Sequence, residues 1–248
     1  MTKINQLIKS WPKGTVKTVT ELQKLGYSPQ LLKSYSNSKW IELYSRGIYQ
    51  LSGDKVLWQG LLFGMQKRKN TTLHAGAKTA LTLKGFSQYI KLGKDKVYLF
   101  SNKDENFNVW LKRNNQITLN RTTIFNYKNK KYFTNFQLNK FEIIISAPEL
   151  AIMEMLYLIP QKQSFDEALE IMEGLTTLRP KIVQKLLAEG KSVKVKRLFL
   201  FMAEFSNHAW LKNIDVKKIN LGSGKRVIVK NGVLDKKYKI TIPKSYGR

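Results

Sequence analysis

Apolar residues recur at helical spacing from the start of the chain. Ile4, Leu7 and Ile8 predict a first helix within residues 1–11. Thr18-Val19-Thr20-Glu21 has the form of a capping box, with Thr18 as N-cap and Glu21 three residues later. A short helix is expected through Leu25, ended by Gly26. Ser28-Pro29 opens another, Ser28 capping and Pro29 occupying the first turn. Two short helices around a glycine turn are the local signature of helix-turn-helix. On the second of them Leu31, Leu32 and Tyr35 form an apolar stripe, while Gln30, Lys33, Ser34 and Asn37 recur on another side. Residues 40–51 then read as a hairpin, two β-rich runs around Ser45-Arg46-Gly47.

That order of elements predicts a winged helix-turn-helix. Gln30, Lys33, Ser34 and Asn37 can donate or accept at base edges or hold phosphates. Arg46 at the ribbon tip is placed to reach a backbone phosphate or a narrow minor groove. An ordinary amphipathic helix with a solvated polar face is the plainer alternative for the same pattern.

Beyond residue 53 the pattern becomes mixed. Residues 54–68 read as a helix, and residues 73–92 hold a short helix around 77–83 followed by an aromatic turn. Residues 97–100, 116–125, 131–137 and 141–145 are strand-like and predict a small sheet. Ser146-Ala147-Pro148-Glu149 and Ser164-Phe165-Asp166-Glu167 are further capping boxes, opening helices that run to Leu158 and to about Gly174. A third helix spans residues 179–189, and Ser192 caps a fourth that ends near Phe205. Leu150, Met153, Leu156, Leu169, Met172, Ile182, Leu186, Leu198, Met202 and Phe205 suit the core of a small bundle. The tail is strand-like from Asn213, with turns at Gly222-Ser223-Gly224 and Asn231-Gly232, the latter a strong hairpin signal. The fold class expected is α+β: a winged helix-turn-helix domain over residues 1–69, then a larger mixed α/β domain over 70–248 with a helical bundle and a C-terminal β-ribbon.

Charge narrows the functional classes. The 248 residues carry a formal net charge of +27, which argues for DNA, RNA or an anionic membrane as partner. Residues 1–68 hold eleven basic side chains against three acids, and residues 194–248 hold fourteen against three. Basic character therefore lies at both ends. Lys191, Lys194, Lys196 and Arg197 crowd the start of the fourth bundle helix, where the helix dipole favours anions. An anion site and a merely solvated surface are both compatible with that crowd.

Catalysis finds little support. With no cysteine and only His74 and His208, the usual zinc sites are nearly excluded. The stretch NLGSGKRVIVKNG (220–232) fails as a P-loop, since one residue separates its glycines and Arg226 follows the lysine. It reads as a turn presenting Lys225 and Arg226. No signal peptide or spanning segment is visible, the longest apolar run being residues 198–203, so a cytoplasmic protein without membrane association is expected. No cofactor, metal or catalytic residue is expected.

Taken together, SKWIELYSRGIYQL (38–51), LHAGAKTALTLKGFSQYI (73–90), SAPELAIMEMLYLIP (146–160), SFDEALEIMEGLTTLRP (164–180), SVKVKRLFL (192–200) and LGSGKRVIVKNGVLDKKYKITIP (221–243) resemble the AbiEi-type antitoxins of bacterial abortive-infection systems. The resemblance runs along nearly the whole chain, with residues 101–140 the least matched. It implies a bifunctional protein, in which the winged domain represses its own operon by binding inverted repeats upstream. The C-terminal domain counteracts an AbiEii-type nucleotidyltransferase toxin, in a type IV arrangement that requires no stable complex. On matching positions it assigns DNA contact to Gln30, Lys33, Ser34 and Arg46, and Ser28 and Asn37 on the same helix complete the expected DNA-binding set. Antitoxicity falls to Lys194, Lys196, Arg197, Lys225 and Arg226, with Lys191 of the same charge crowd added to that surface. Two other classes stay open: an RNA-binding protein gripping structured RNA with both basic ends, and a metal-dependent nuclease drawing on acids such as Asp95, Asp104 and Glu105, which show no ligand spacing.

Overall fold

Hydroxyl caps set the start of each N-terminal helix. The structure, a computed structural model, describes residues 2–86, 96–107 and 116–247. Helix α1 (Lys3–Ser10) begins at Thr2, whose hydroxyl accepts from the Asn5 amide. Helix α2 (Val19–Lys24) begins at Thr18, which accepts from Glu21 N–H at 3.1 Å. Helix α3 (Pro29–Asn37) begins at Ser28, which accepts from Leu31 N–H at 3.2 Å, with Pro29 in its first turn. Each such cap is worth about 1 kcal/mol. The box at Thr18 is half made, because the Glu21 carboxylate pairs with Lys17 at 2.6 Å and not with the cap's own amide.

The apolar stripes of these helices meet in one buried cluster of Leu7, Trp11, Leu22, Tyr27, Leu32, Ile41 and Leu51. The last two come from the hairpin, β2 (Ile41–Ser45) and β3 (Ile48–Leu51), which turns at Arg46-Gly47 with Gly47 at φ +77°. A third strand, β1 (Val16–Thr18), pairs antiparallel with β3 through Val16↔Gln50 and Thr18↔Ile48, giving the order β1-β3-β2. Three residues carry too little alternation for a sequence reading to find them.

Helix α4 (Trp58–Gln66) is shorter than the span predicted over 54–68. The Asp54 carboxylate accepts from the Gly14 amide at 2.7 Å, which holds the chain before the helix to β1's approach. One face of α4 then lies directly on that segment. A Cβ on Gly60 would sit 1.8 Å from the Gly14 carbonyl, and one on Gly64 2.3 Å from the Val16 carbonyl.

The sheet expected in the middle of the chain has five strands in the order β6-β5-β4-β8-β7. These are β4 (His74–Ala75), β5 (Val97–Ser101), β6 (Ile117–Arg121), β7 (Phe133–Leu138) and β8 (Phe141–Ser146). Strand β4 runs antiparallel to β5 and parallel to β8. The strand expected over 116–125 stops at Arg121, and much of the aromatic turn expected before residue 92 lies outside the described residues.

Helices α5 (Ala77–Leu83), α6 (Pro148–Leu158), α7 (Phe165–Gly174), α8 (Pro180–Glu189) and α9 (Val193–Phe205) follow the predicted spans. Helix α6 is apolar on nearly every side and correspondingly buried. Ser164 and Ser192 cap α7 and α9 as expected. Ser146 does not cap α6, whose N-cap is Ala147. Ser146 ends β8 fully buried, and its hydroxyl donates to the buried Glu154 carboxylate at 2.7 Å, an acceptor that also takes the Ala77 amide at 3.0 Å. Glu149, in the first turn of α6, also reaches beyond its own helix. Its carboxylate receives the Arg179 backbone amide (2.9 Å), Nε (2.8 Å) and Nη2 (2.9 Å). Burial pushes that carboxyl up, but the Arg179 hydrogen bonds outweigh it and hold it below the ordinary carboxylate range.

The tail forms β9 (Arg226–Val227), β10 (Val233–Asp235) and β11 (Ile240–Ile242). The chain turns at Asn231-Gly232, yet β9 and β10 do not pair as an Asn-Gly hairpin would have them. Strand β11 lies between them, antiparallel to β10 and parallel to β9. Thr241 explains the insertion, its hydroxyl oxygen accepting from the amides of Ile228 and Val229 while donating to the Val229 carbonyl. Beneath the tail sits Arg197 of α9, 2% exposed. Its guanidinium donates to the carbonyls of Leu221 (2.8 Å), Gly222 (3.0 Å), Gly224 (2.6 Å) and Lys239 (3.2 Å).

By contact density the chain forms two compact units. One comprises Met1–Ala75, Leu99–Arg121 and Asn135–Ile145, the other Gly76–Tyr98, Thr122–Thr134 and Ser146–Arg248. Among the described residues no helix is long and apolar enough to cross a membrane.

Two expectations test these clasps. Arg197→Lys cannot serve four carbonyls from one compact ammonium. It should lower the unfolding free energy by about 3 kcal/mol and speed amide exchange over residues 221–239, read by hydrogen-exchange mass spectrometry. For Glu149 the depressed carboxyl contributes stability that is complete above its unfolded-state value and is lost as pH falls through the folded one. Denaturant titrations should therefore show the protein losing stability below about pH 5, with Glu149→Gln less stable at neutral pH by about 2 kcal/mol and flatter in acid.

Candidate nucleic-acid interface

The face of α3 opposite its core contacts is polar and open. Leu32 is buried and Leu31 and Tyr35 pack against the same cluster, which rotates Gln30, Lys33, Ser34 and Asn37 to solvent. These four lie at i, i+3, i+4 and i+7, so they line a single stripe along the helix. Ser28 is exposed at the N-terminal end of that helix, though its hydroxyl oxygen already accepts from Leu31 N–H. Arg46 is exposed at the hairpin tip, which is tied to α2 by a 2.9 Å hydrogen bond from the Val19 amide to the Gly47 carbonyl. All six side chains expected to contact DNA thus belong to one unit and face solvent.

The six cations of the other set divide in two. Lys191, Lys225 and Arg226 are exposed, with Arg226 Nη1 donating to the Lys225 carbonyl at 3.0 Å. Lys194, Lys196 and Arg197 turn inward. The Lys194 ammonium donates to the carbonyls of Tyr157 (2.7 Å) and Ile159 (2.6 Å) and lies 5.5 Å from the Tyr157 ring centroid. Lys196 reaches the Asn220 carbonyl at 3.2 Å. Burial depresses the pKa of both lysines. Burial does the same to Arg197, helped by the like charge of Arg226, without approaching deprotonation. The charge crowd at the start of α9 is therefore largely a set of anchors for the chain around it.

Of the residues considered for catalysis, both histidines and Glu105 are engaged by neighbouring backbone or hydroxyl groups, and Asp104 is exposed. His74 is fully buried, with Nδ1 2.6 Å from the Thr72 carbonyl. His208 stacks on Trp210, with Nε2 2.7 Å from the Met172 carbonyl. Glu105 accepts from the Thr71 hydroxyl and from the Thr72 amide and hydroxyl. Asp95 lies outside the described residues. Among the described residues no three His, Asp or Glu side chains gather as a metal site.

The structure adds cations that the sequence reading left unassigned. Lys24, Lys67, Arg68 and Lys69 line a cleft together with Arg46. The Lys67-Arg68-Lys69 run is visible in the sequence, but its return to the hairpin depends on the Gly60 and Gly64 contacts of α4.

Comparison with known proteins agrees with this architecture. A family model described as a transcriptional regulator, AbiEi antitoxin, of type IV toxin–antitoxin systems matches residues 94–243. The model of the AbiEi antitoxin N-terminal domain matches residues 1–92. No curated protein sequence matches the chain. Among solved structures, the RV2827C protein from Mycobacterium tuberculosis superposes with a TM-score of 0.64 at 11% identity, over 96% of this chain and 88% of that one, a likeness of fold alone. The chain belongs to the AbiEi antitoxin family of transcriptional regulators of type IV toxin–antitoxin systems.

Proposed function

We propose that the chain represses its own toxin–antitoxin operon by binding inverted repeats in the promoter, and that it also counteracts a nucleotidyltransferase toxin of the AbiEii type. Operator contact belongs to residues 1–69, read as a winged helix-turn-helix, and antitoxicity to residues 70–248. The observation that carries the first half is the exposed stripe Gln30, Lys33, Ser34 and Asn37 on α3, beside a hairpin tipped by Arg46. Helix α3 enters the major groove, where Gln30 and Asn37 can pair with adenine edges and Lys33 with guanine. Arg46 meets a phosphate or the adjacent minor groove and carries little sequence information.

The second half draws on the exposed members of the cationic set, Lys191, Lys225 and Arg226. Lys196 and Arg197 support that surface by holding the segment that leads to Lys225 and Arg226, while Lys194 anchors the end of α6. No catalytic step is assigned to this chain. Its action on the toxin is binding, to the toxin or to a polyanion the toxin acts on.

Fluorescence anisotropy with the promoter fragment against random duplex tests the repressor half. Arg46→Ala should weaken both duplexes alike and reduce the salt slope by about 1. Lys33→Ala should weaken the promoter by about 1–3 kcal/mol and random DNA far less. A promoter bound no better than random DNA sinks the operator reading. Reversing Lys225 and Arg226 to glutamate should abolish growth rescue from the toxin while leaving promoter affinity within about twofold, a change near 0.4 kcal/mol. Equal loss of both activities, or of neither, counts against assigning antitoxicity to the tail.

A further inference from the structure

We propose that the cleft between the β2–β3 tip and the end of α4 seats the sugar-phosphate backbone of double-stranded DNA. It flanks the groove entered by α3 and lengthens the footprint beyond α3 and Arg46. This rests on the reading of α3 as the base-contacting helix.

The cleft has a volume of about 490 Å³, and Lys24, Arg46, Lys67, Arg68 and Lys69 all line it. All five are exposed. Glu21 is the one acid in the lining, and Lys17 already pairs with it at 2.6 Å. Five cations therefore line the opening against one carboxylate already paired through one oxygen, which favours a polyanion lying between the walls.

Both walls are fixed before anything binds. The Val19–Gly47 hydrogen bond pins the hairpin tip. On the other side the Lys67 ammonium lies 4.7 Å from the Phe63 ring centroid. Arg68 is held by the Asn106 carbonyl at 3.2 Å and by Phe107, 5.3 Å from its guanidinium. Such cations lose little side-chain freedom on meeting a phosphate. The floor is Ile48 and Met65, and among the described residues no aromatic side chain lines the cleft. A base would find neither a stacking surface nor a set of edge-reading groups there, so the occupant is the backbone and not a free nucleotide or a single strand.

The test uses the full-length chain with the Lys67→Gln/Lys69→Gln double variant. Binding constants for promoter duplex and for random duplex are measured across a salt series. The expected result is a slope of log K against log salt that is shallower by about 2 on both duplexes, with the promoter-to-random ratio unchanged. Lys24→Gln, on the opposite wall, should remove about 1 from the slope by itself and guards against a folding defect in the double variant. An unchanged slope in both variants overturns the cleft assignment while leaving α3 in place. A changed promoter-to-random ratio also overturns it, because the pair would then read bases. A wild-type chain without promoter preference removes the α3 reading instead, and the slope on random DNA still decides the cleft.

Discussion

The first unit depends on a contact to which α4 contributes no side chain. Gly60 and Gly64 let the backbone of α4 rest on the carbonyls of Gly14 and Val16, at distances no Cβ would allow. That contact fixes β1, and β1 holds β3 through the register Val16↔Gln50. The hairpin is then positioned, and with it Ile41 and Leu51 in the cluster against which Leu32 turns α3 outward. A methyl group at either glycine would push α4 away from β1 and carry the Lys67–Lys69 run with it. Helix propensity alone disfavours glycine in both places by about 1 kcal/mol each, so the close approach outweighs that loss.

A second constraint is the scarcity of acids. Forty-four lysines and arginines face seventeen carboxylates, so most cations have no carboxylate to pair with. Those at the protein–water boundary stay solvated, as Lys33 and Lys225 do. Those drawn inward use backbone carbonyls, as Lys194, Lys196 and Arg197 do. Most of the carbonyls they meet lie in turns and helix ends, and the Lys239 carbonyl also accepts from the Arg226 amide at 2.9 Å. The cations are accordingly divided between those free to meet a polyanion and those committed to the backbone.

Local chemistry was legible in the sequence where it acts over a few residues. Thr18, Ser28, Ser164 and Ser192 announce helix starts, and the caps form. The polar stripe of α3 and the turn at Arg46-Gly47 follow from periodicity and glycine alone. The order of motifs along the chain sufficed to identify the family. What stays hidden is anything decided by a distant partner. Ser146 has the form of a cap but faces Glu154, and Asn231-Gly232 has the form of a hairpin but yields its place to β11. The crowd of cations before α9 gives no sign of which side chains turn inward, since that depends on where the tail returns. Strand β1 is too short to signal itself and is defined only by β3.

That return of the tail determines how it folds. Strands of two or three residues do not persist alone in water. The carbonyls that meet Arg197 come from residues 24 to 42 positions further on, so ring closures of quite different length end on one guanidinium. Each closure is entropically cheaper once another has formed. The turn that displays Lys225 and Arg226 is thereby tied through one side chain to the start of β11, so a change at either place is felt at the other.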